Sequence, residues 1–108
     1  MNFTSVVIPV FNKYHLTERC LFSLLKHSVD TKEVFVIDNH STDLTPELLR
    51  QFQPLFQKQG IRFQSITNTE NLGFGRACNL GIRASTGDRI AILNNDTWLM
   101  PEWDRRLR

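Results

Sequence analysis

The sequence predicts a doubly wound α/β protein built on a mostly parallel sheet of about four strands, and three observations predict it. Short apolar runs at Val6–Ile8, Val34–Ile37 and Ile90–Leu93 are each too short for a helix. Between them lie longer stretches with apolar residues every three or four positions, long enough for the crossovers that parallel strands need. Each run then breaks into polar residues: Phe11-Asn12, Asp38-Asn39-His40-Ser41 and Asn94-Asn95-Asp96. In an open sheet of this kind, ligands occupy the crevice beyond the carboxyl ends of the strands.

The elements follow in order. A first strand is expected over Phe3–Pro9, ended by Pro9 because it cannot donate to a ladder. Tyr14–His27 reads as a helix with Leu16, Cys20, Leu21, Leu24 and Leu25 on one face. Glu33–Asp38 is the second strand. Thr45 and Pro46 then suit the cap and first residue of a second helix, with Glu47 well placed in its first turn. Leu48, Leu49, Phe52, Leu55 and Phe56 form its stripe, and Pro54 inside it predicts a kink or an early stop.

Ile61–Ile66 alternates as a third strand, with Ile61, Phe63 and Ser65 opposing Arg62, Gln64 and Ile66. Gly73–Ser85 is a third helical segment, with Phe74, Ala77, Cys78, Gly81 and Ile82 on one side. Gly75 and Gly81 weaken it as an isolated helix and suggest close backbone approach. The continuous apolar run after Arg89 reads as a central strand covered on both faces. Beyond it, Trp98 and Trp103 are expected as packing anchors, and Pro101 as the opening of a short helix, Glu102–Leu107.

With 108 residues, 41% hydrophobic and 22% charged, the chain suits one small globular domain. Its formal charge of +2 gives no case for a nucleic-acid partner. Arg105, Arg106 and Arg108 fit the polar side of a last helix better than a membrane-surface patch. Cys20 and Cys78 are too far apart for a metal or redox motif and fall in apolar helical patterns. Buried free thiols and a reducing compartment follow, and with no basic leader and no membrane-length apolar run a cytoplasmic location is expected.

Several chemistries find no support. Gly73-x-Gly75 follows the third strand, not the first, and its six-residue pattern would end at Cys78, so it does not read as a dinucleotide motif. No P-loop is present, and His15, His27 and His40 share no metal-ligand spacing. No nucleophile–base–acid arrangement can be argued. The three polar strand ends, converging on one rim, instead describe a nucleotide site. Asp38 can accept from base or ribose, Asp96 can hold a hard cation, and Arg76 can balance phosphate charge.

The segments SVVIPVFNK, VFVIDNHSTD, NTENLGFGRACNLGI and GDRIAILNND, in this order and spacing, resemble the N-terminal half of an inverting family 2 glycosyltransferase. The resemblance implies the Rossmann-like half of a GT-A fold and a nucleoside-diphosphate-sugar donor of the UDP or dTDP type. It implies that Pro9, Phe11 and Asn12 line the nucleobase pocket, and that Asp38, with Asn39 beside it, contacts base or ribose. It further implies that Asn71, Gly73, Phe74, Arg76, Ala77 and Asn79 close over the nucleoside. Asn94-Asn95-Asp96 stands where the family carries Asp-x-Asp, which binds ribose and a divalent metal, Mg2+ or Mn2+, on the diphosphate.

The chain departs from that pattern in two ways. Asn94 replaces the leading carboxylate, leaving Asp96 as the metal ligand, in a form that resembles members adding rhamnose and related sugars to surface polysaccharides. The acceptor half, with the general base that an inverting transfer needs, is expected beyond Arg108. Residues 1–108 therefore read as the donor-binding part of an enzyme acting on a polysaccharide, lipid-linked or protein acceptor. Peripheral membrane association is compatible with such an enzyme. The open sheet edge predicts a homodimer through the C-terminal segment. Two alternatives stand beside this reading: a non-catalytic nucleotide-binding or assembly module, and a sugar-phosphate nucleotidylyltransferase. The second usually carries a Gly-rich, Arg/Lys-containing loop after its first strand, which Val10-Phe11-Asn12 is not.

Overall fold

Four parallel strands carry the fold in the computed structural model, which describes residues 2–105. They are β1 (Thr4–Val10), β2 (Thr31–Asp38), β3 (Arg62–Thr67) and β4 (Arg89–Ile92), in the spatial order β3-β2-β1-β4. The crossovers are α1 (Tyr14–His27), α2 (Thr45–Lys58) and α3 (Phe74–Ala84). Among the described residues no helix is long and apolar enough to cross a membrane.

Strand periodicity sorts the core into two layers. Val6, Ile8, Val10, Val34, Val36 and Phe63 pack with Cys20, Leu21 and Leu24 of α1 and Leu48, Phe52 and Phe56 of α2. Phe56 and Phe63 stack with ring centroids 4.9 Å apart. Val7, Phe35 and Ile37 face the other way and pack with Ala77 of α3. There the helix comes so close that a Cβ on Gly81 would lie 2.3 Å from Val7 Cγ1. Gly75 has no such neighbour, so close approach explains one of the two glycines. Both cysteines are free thiols and buried, as their positions predicted.

The largest correction concerns β4. Among the described residues it is an edge strand, not a central one, pairing with β1 alone, and Ile90 and Ile92 are 41% and 43% exposed. A continuous apolar run cannot tell a doubly covered strand from an edge strand with one open face. Asp38 and Asp96 consequently follow strands separated by β1, not neighbouring strands.

Other corrections are local. β1 runs through Pro9 to Val10. The Val7 carbonyl accepts from Leu93 N–H on the β4 side, and Pro9 shares that orientation beyond the end of β4, where no N–H is required. β2 begins at Thr31, two residues before the expected start. The cap position of α2 falls on Leu44, while Thr45 donates its hydroxyl to Asp43 Oδ1 at 2.6 Å. The helix continues past exposed Pro54 to Lys58, held on either side by buried Phe52 and Phe56. Phe74 and Ile82, expected on the inner side of α3, are exposed.

Trp98 is exposed with Arg19 over its ring, while Trp103 packs against the core. Pro101–Asp104 forms turns instead of a helix, because Glu102 takes φ 57° and Asp104 reaches back to the α1–β2 connection. Arg106 and Leu107 of that expected helix lie outside the described residues, as does Arg108.

Candidate nucleotide site

The parallel sheet places the ends of β1, β2 and β4 along one rim. Two loops there are tied by Asn12: its N–H donates to Ser41 Oγ at 2.8 Å, and its Oδ1 accepts from Thr42 N at 2.7 Å and Asp43 N at 3.3 Å. Asn12 and Lys13 both take left-handed backbone angles, which sharpens the turn into α1. Asp43 completes the brace by accepting from Tyr14 N, the first residue of α1. Burial pushes the Asp43 carboxyl up, but the Thr45 and Tyr14 hydrogen bonds outweigh it and hold the group below the ordinary range.

Asn39 performs a similar service across the rim. Its Oδ1 accepts from Asn68 Nδ2 at 2.8 Å and Leu72 N at 3.3 Å, and its Nδ2 donates to Gly73 O at 3.3 Å. Asn71 Oδ1 accepts from Gly73 N at 2.8 Å, and Gly73 adopts φ 84° to start α3. The result is a cleft of about 230 Å³ lined by Pro9, Val10, Phe11, Asn39, Asn71, Gly73 and Phe74. Phe11 and Phe74 are about half exposed, leaving two ring faces free beside a polar wall. Asp38 lies fully buried next to Asn39. Its Oδ1 accepts from Ser41 N at 2.9 Å, while Oδ2 has no partner. An unpartnered buried carboxylate oxygen at a strand end is the kind of group that awaits a donor.

The remaining expected residues divide. Arg76 and Asn79 line a separate cleft of about 220 Å³ with Leu72, Leu80 and Arg83, along the flank of α3. Ala77 is a core residue against the sheet. Asn94 and Asp96 are exposed after β4, whereas Asn95 turns inward and donates to Thr17 Oγ1 at 3.1 Å. Sequence reading missed Thr17 and Asp43, and it placed Ser41 in the rim cluster without its bond to Asn12. Thr17 was discoverable, since it shares the α1 stripe of Cys20, Leu21 and Leu24 and is the polar member of it.

No group of three or more His, Cys, Asp or Glu side chains that could hold a metal occurs among the described residues. Asp96 stands as a lone exposed carboxylate on an open rim. That donor set fits a cation whose other ligands come from a diphosphate and water. Cys20 nearby holds its proton: burial, reinforced by the Asp96 charge, pushes its thiol up to about 12.

This arrangement, an open parallel sheet flanked by helices with its polar groups at one rim, is the Rossmann-like half of the GT-A architecture. The chain belongs to glycosyl transferase family 2: the sequence model of that family matches residues 5–108. The glycosyltransferase AglE of Haloferax volcanii is 33% identical over 106 residues, covering 96% of this chain and 34% of AglE. The S. aureus TarS 1-349 structure in complex with UDP superposes with a TM-score of 0.82 at 21% identity, over 99% of this chain and 31% of that one. The mannosyltransferase PcManGT of Pyrobaculum calidifontis, in complex with GDP-Man and Mn2+, gives a TM-score of 0.78 at 26% identity, over 88% and 28%. The chain therefore spans only about a third of the length of these relatives.

Proposed function

We propose that residues 1–108 form the donor-binding part of a glycosyltransferase that moves a sugar from a nucleoside diphosphate to a polysaccharide, lipid-linked or protein acceptor with inversion. The observation that carries this reading is the rim cleft with the unpartnered Asp38 oxygen beside it. It is supported by proteins of the same fold whose structures are in complex with UDP and with GDP-Man and Mn2+.

On this reading the base enters between Phe11 and Phe74, and Asp38 accepts a hydrogen bond from base or ribose. Asn12, Asn39 and Asn71 shape the loops around it, while Pro9 and Gly73 complete the wall. Asn94 and Asp96 approach the diphosphate, with Asp96 holding Mg2+ or Mn2+. The cation, when bound, neutralises charge on the departing diphosphate. Arg76 and Asn79 line a separate cleft along α3, and Arg76, in the first turn after Phe74, is the cation placed to balance phosphate charge. The base that deprotonates the acceptor is assigned to residues outside 1–108.

The buried free thiols support a reducing, cytoplasmic setting. The open β4 edge supports self-association of this chain. Titration calorimetry with UDP, dTDP and GDP, with and without Mn2+, tests the donor site directly. Saturable binding of one nucleoside diphosphate, enhanced by Mn2+, is expected, and no binding of any of the three at millimolar concentration would overturn the reading.

A further inference from the structure

The segment that follows β4 runs beside α1 in the same direction, and the helix supplies a polar partner at nearly every turn. Thr17 Oγ1 accepts from Asn95 Nδ2 at 3.1 Å. Cys20 Sγ donates to Asn94 O at 3.9 Å. Ser23 Oγ accepts from Leu99 N at 3.0 Å, His27 O from Glu102 N at 3.0 Å, and Ser28 Oγ from Trp103 Nε1 at 2.9 Å. Positions 17, 20, 23 and 27 recur every three or four residues, so they form one stripe along the helix. Thr17 is fully buried, and nothing but Asn95 is bonded to its hydroxyl among the side-chain contacts described.

This geometry separates the three residues of the Asn94–Asp96 turn. Asn94 and Asp96 are exposed at the rim, while the Asn95 side chain is committed to the helix. The turn is also closed by the bond from Thr97 N to Asn94 O at 3.1 Å. A side chain anchored in the middle of a tight turn fixes the directions of both its neighbours. We infer that Thr17 is a positioning residue for the metal–diphosphate site: through Asn95 it holds the Asp96 carboxylate toward the cation, and Asn95 itself does not touch the donor. The inference rests on the donor-site reading above, and the experiment below separates failure of one from failure of the other.

Nucleoside-diphosphate affinity of the full chain is measured with Mn2+ and again in EDTA, using the nucleotide that the wild type prefers. Thr17→Val keeps shape and removes the acceptor. It should weaken binding about five-fold in Mn2+, the effect of losing one hydrogen bond's worth of order, and leave the EDTA affinity unchanged. Thr17→Ser should restore the Mn2+ response. If Thr17→Val does not fold, Asn95→Ala removes the same bond from the more exposed side and should give the same signature. Equal weakening in Mn2+ and EDTA, an unchanged Mn2+ response, or failure of Thr17→Ser to rescue would each overturn the positioning role. A wild type that binds nucleotide without any Mn2+ enhancement would overturn it too, leaving the nucleotide cleft standing. A wild type that binds no nucleotide would overturn the donor site itself.

Discussion

The Asp104 carboxylate accepts the Thr31 hydroxyl at 2.7 Å across 73 residues of chain. The same group accepts from Val29 N at 2.9 Å and Asp30 N at 2.8 Å, and it is fully buried. It therefore fastens the segment after β4 to the corner where α1 ends and β2 begins. Asp104→Ala would strand three donors and should lower unfolding free energy by about 3 kcal/mol. Asp104→Asn, which keeps one acceptor oxygen, should cost roughly half as much. Urea denaturation of the three proteins checks both.

The acid response follows from the same kind of group. Burial pushes the Asp104 carboxyl up, but the bonds from Val29, Thr31 and Asp30 outweigh it and leave the group below the ordinary range. Glu33 behaves alike: burial opposes the bonds from Thr86 and Ser5 and the Arg62 charge, and the bonds win. Carboxyls depressed in the folded state stabilise it fully above their unfolded-state values and cease to do so as pH falls through the folded ones. Thermal stability should thus be flat above about pH 5 and fall steeply towards about pH 3. The Asp104→Asn variant should show a shallower fall.

Much of this was legible in the sequence, for identifiable reasons. Tyr14–His27 was readable because its apolar stripe is regular and its core partners lie on one side. Of the cleft residues, Phe11 and Asn39 were readable because parallel strands bring their ends together whatever their order, whereas Pro9, Asn71, Gly73 and Phe74 were legible only through the resemblance to family 2 glycosyltransferases. What could not be read was order itself. Ile90 and Ile92 look like a buried strand, and only the pairing with β1 alone puts them at an edge. Nor could the pattern distinguish Asn95 from Asn94 and Asp96, since its inward turn depends on Thr17, 78 residues away.

Gly81 gives a packing prediction. A methyl group there meets Val7 Cγ1 at 2.3 Å and Cγ2 at 2.9 Å, and Val7 is a short, branched side chain locked in the core. Gly81→Ala gains about 1 kcal/mol of helix propensity yet should destabilise by about 1–2 kcal/mol net, because overpacking dominates. Gly75→Ala meets nothing within 4 Å and should stabilise instead. Opposite shifts in melting temperature are the expected result.

Asp38 and Asp96 should separate by their metal response. Asp38→Ala removes the oxygen assigned to base or ribose and should weaken nucleotide binding about ten-fold with or without Mn2+. Asp96→Ala should abolish the Mn2+ enhancement while leaving binding in EDTA unchanged. Calorimetry of the two variants under both conditions checks the assignment, and a shared pattern would refute it.

The last prediction concerns the open edge of the sheet. In the segment after β4, Leu99 is buried and Trp103 packs on the core and donates to Ser28 Oγ, while Trp98 and Met100 are exposed. Along β4, Arg89 N donates to Phe3 O, just before β1, and Leu93 N to Val7 O within it, so the backbone groups of Ile90 and Ile92 point outward, unpaired by any strand among the described residues. Their side chains share the α3 face with Val7 and remain about two-fifths exposed. Two such edges meeting antiparallel about a two-fold axis would satisfy the backbone and bury four isoleucines at once. Sedimentation equilibrium should therefore show a monomer–dimer transition in the micromolar range. Ile92→Lys, a charge at the solvent edge of the strand, should shift it to monomer without lowering the melting temperature of the monomer. A wild type that stays monomeric at about 100 µM, some way above that range, would remove the edge from consideration as an interface.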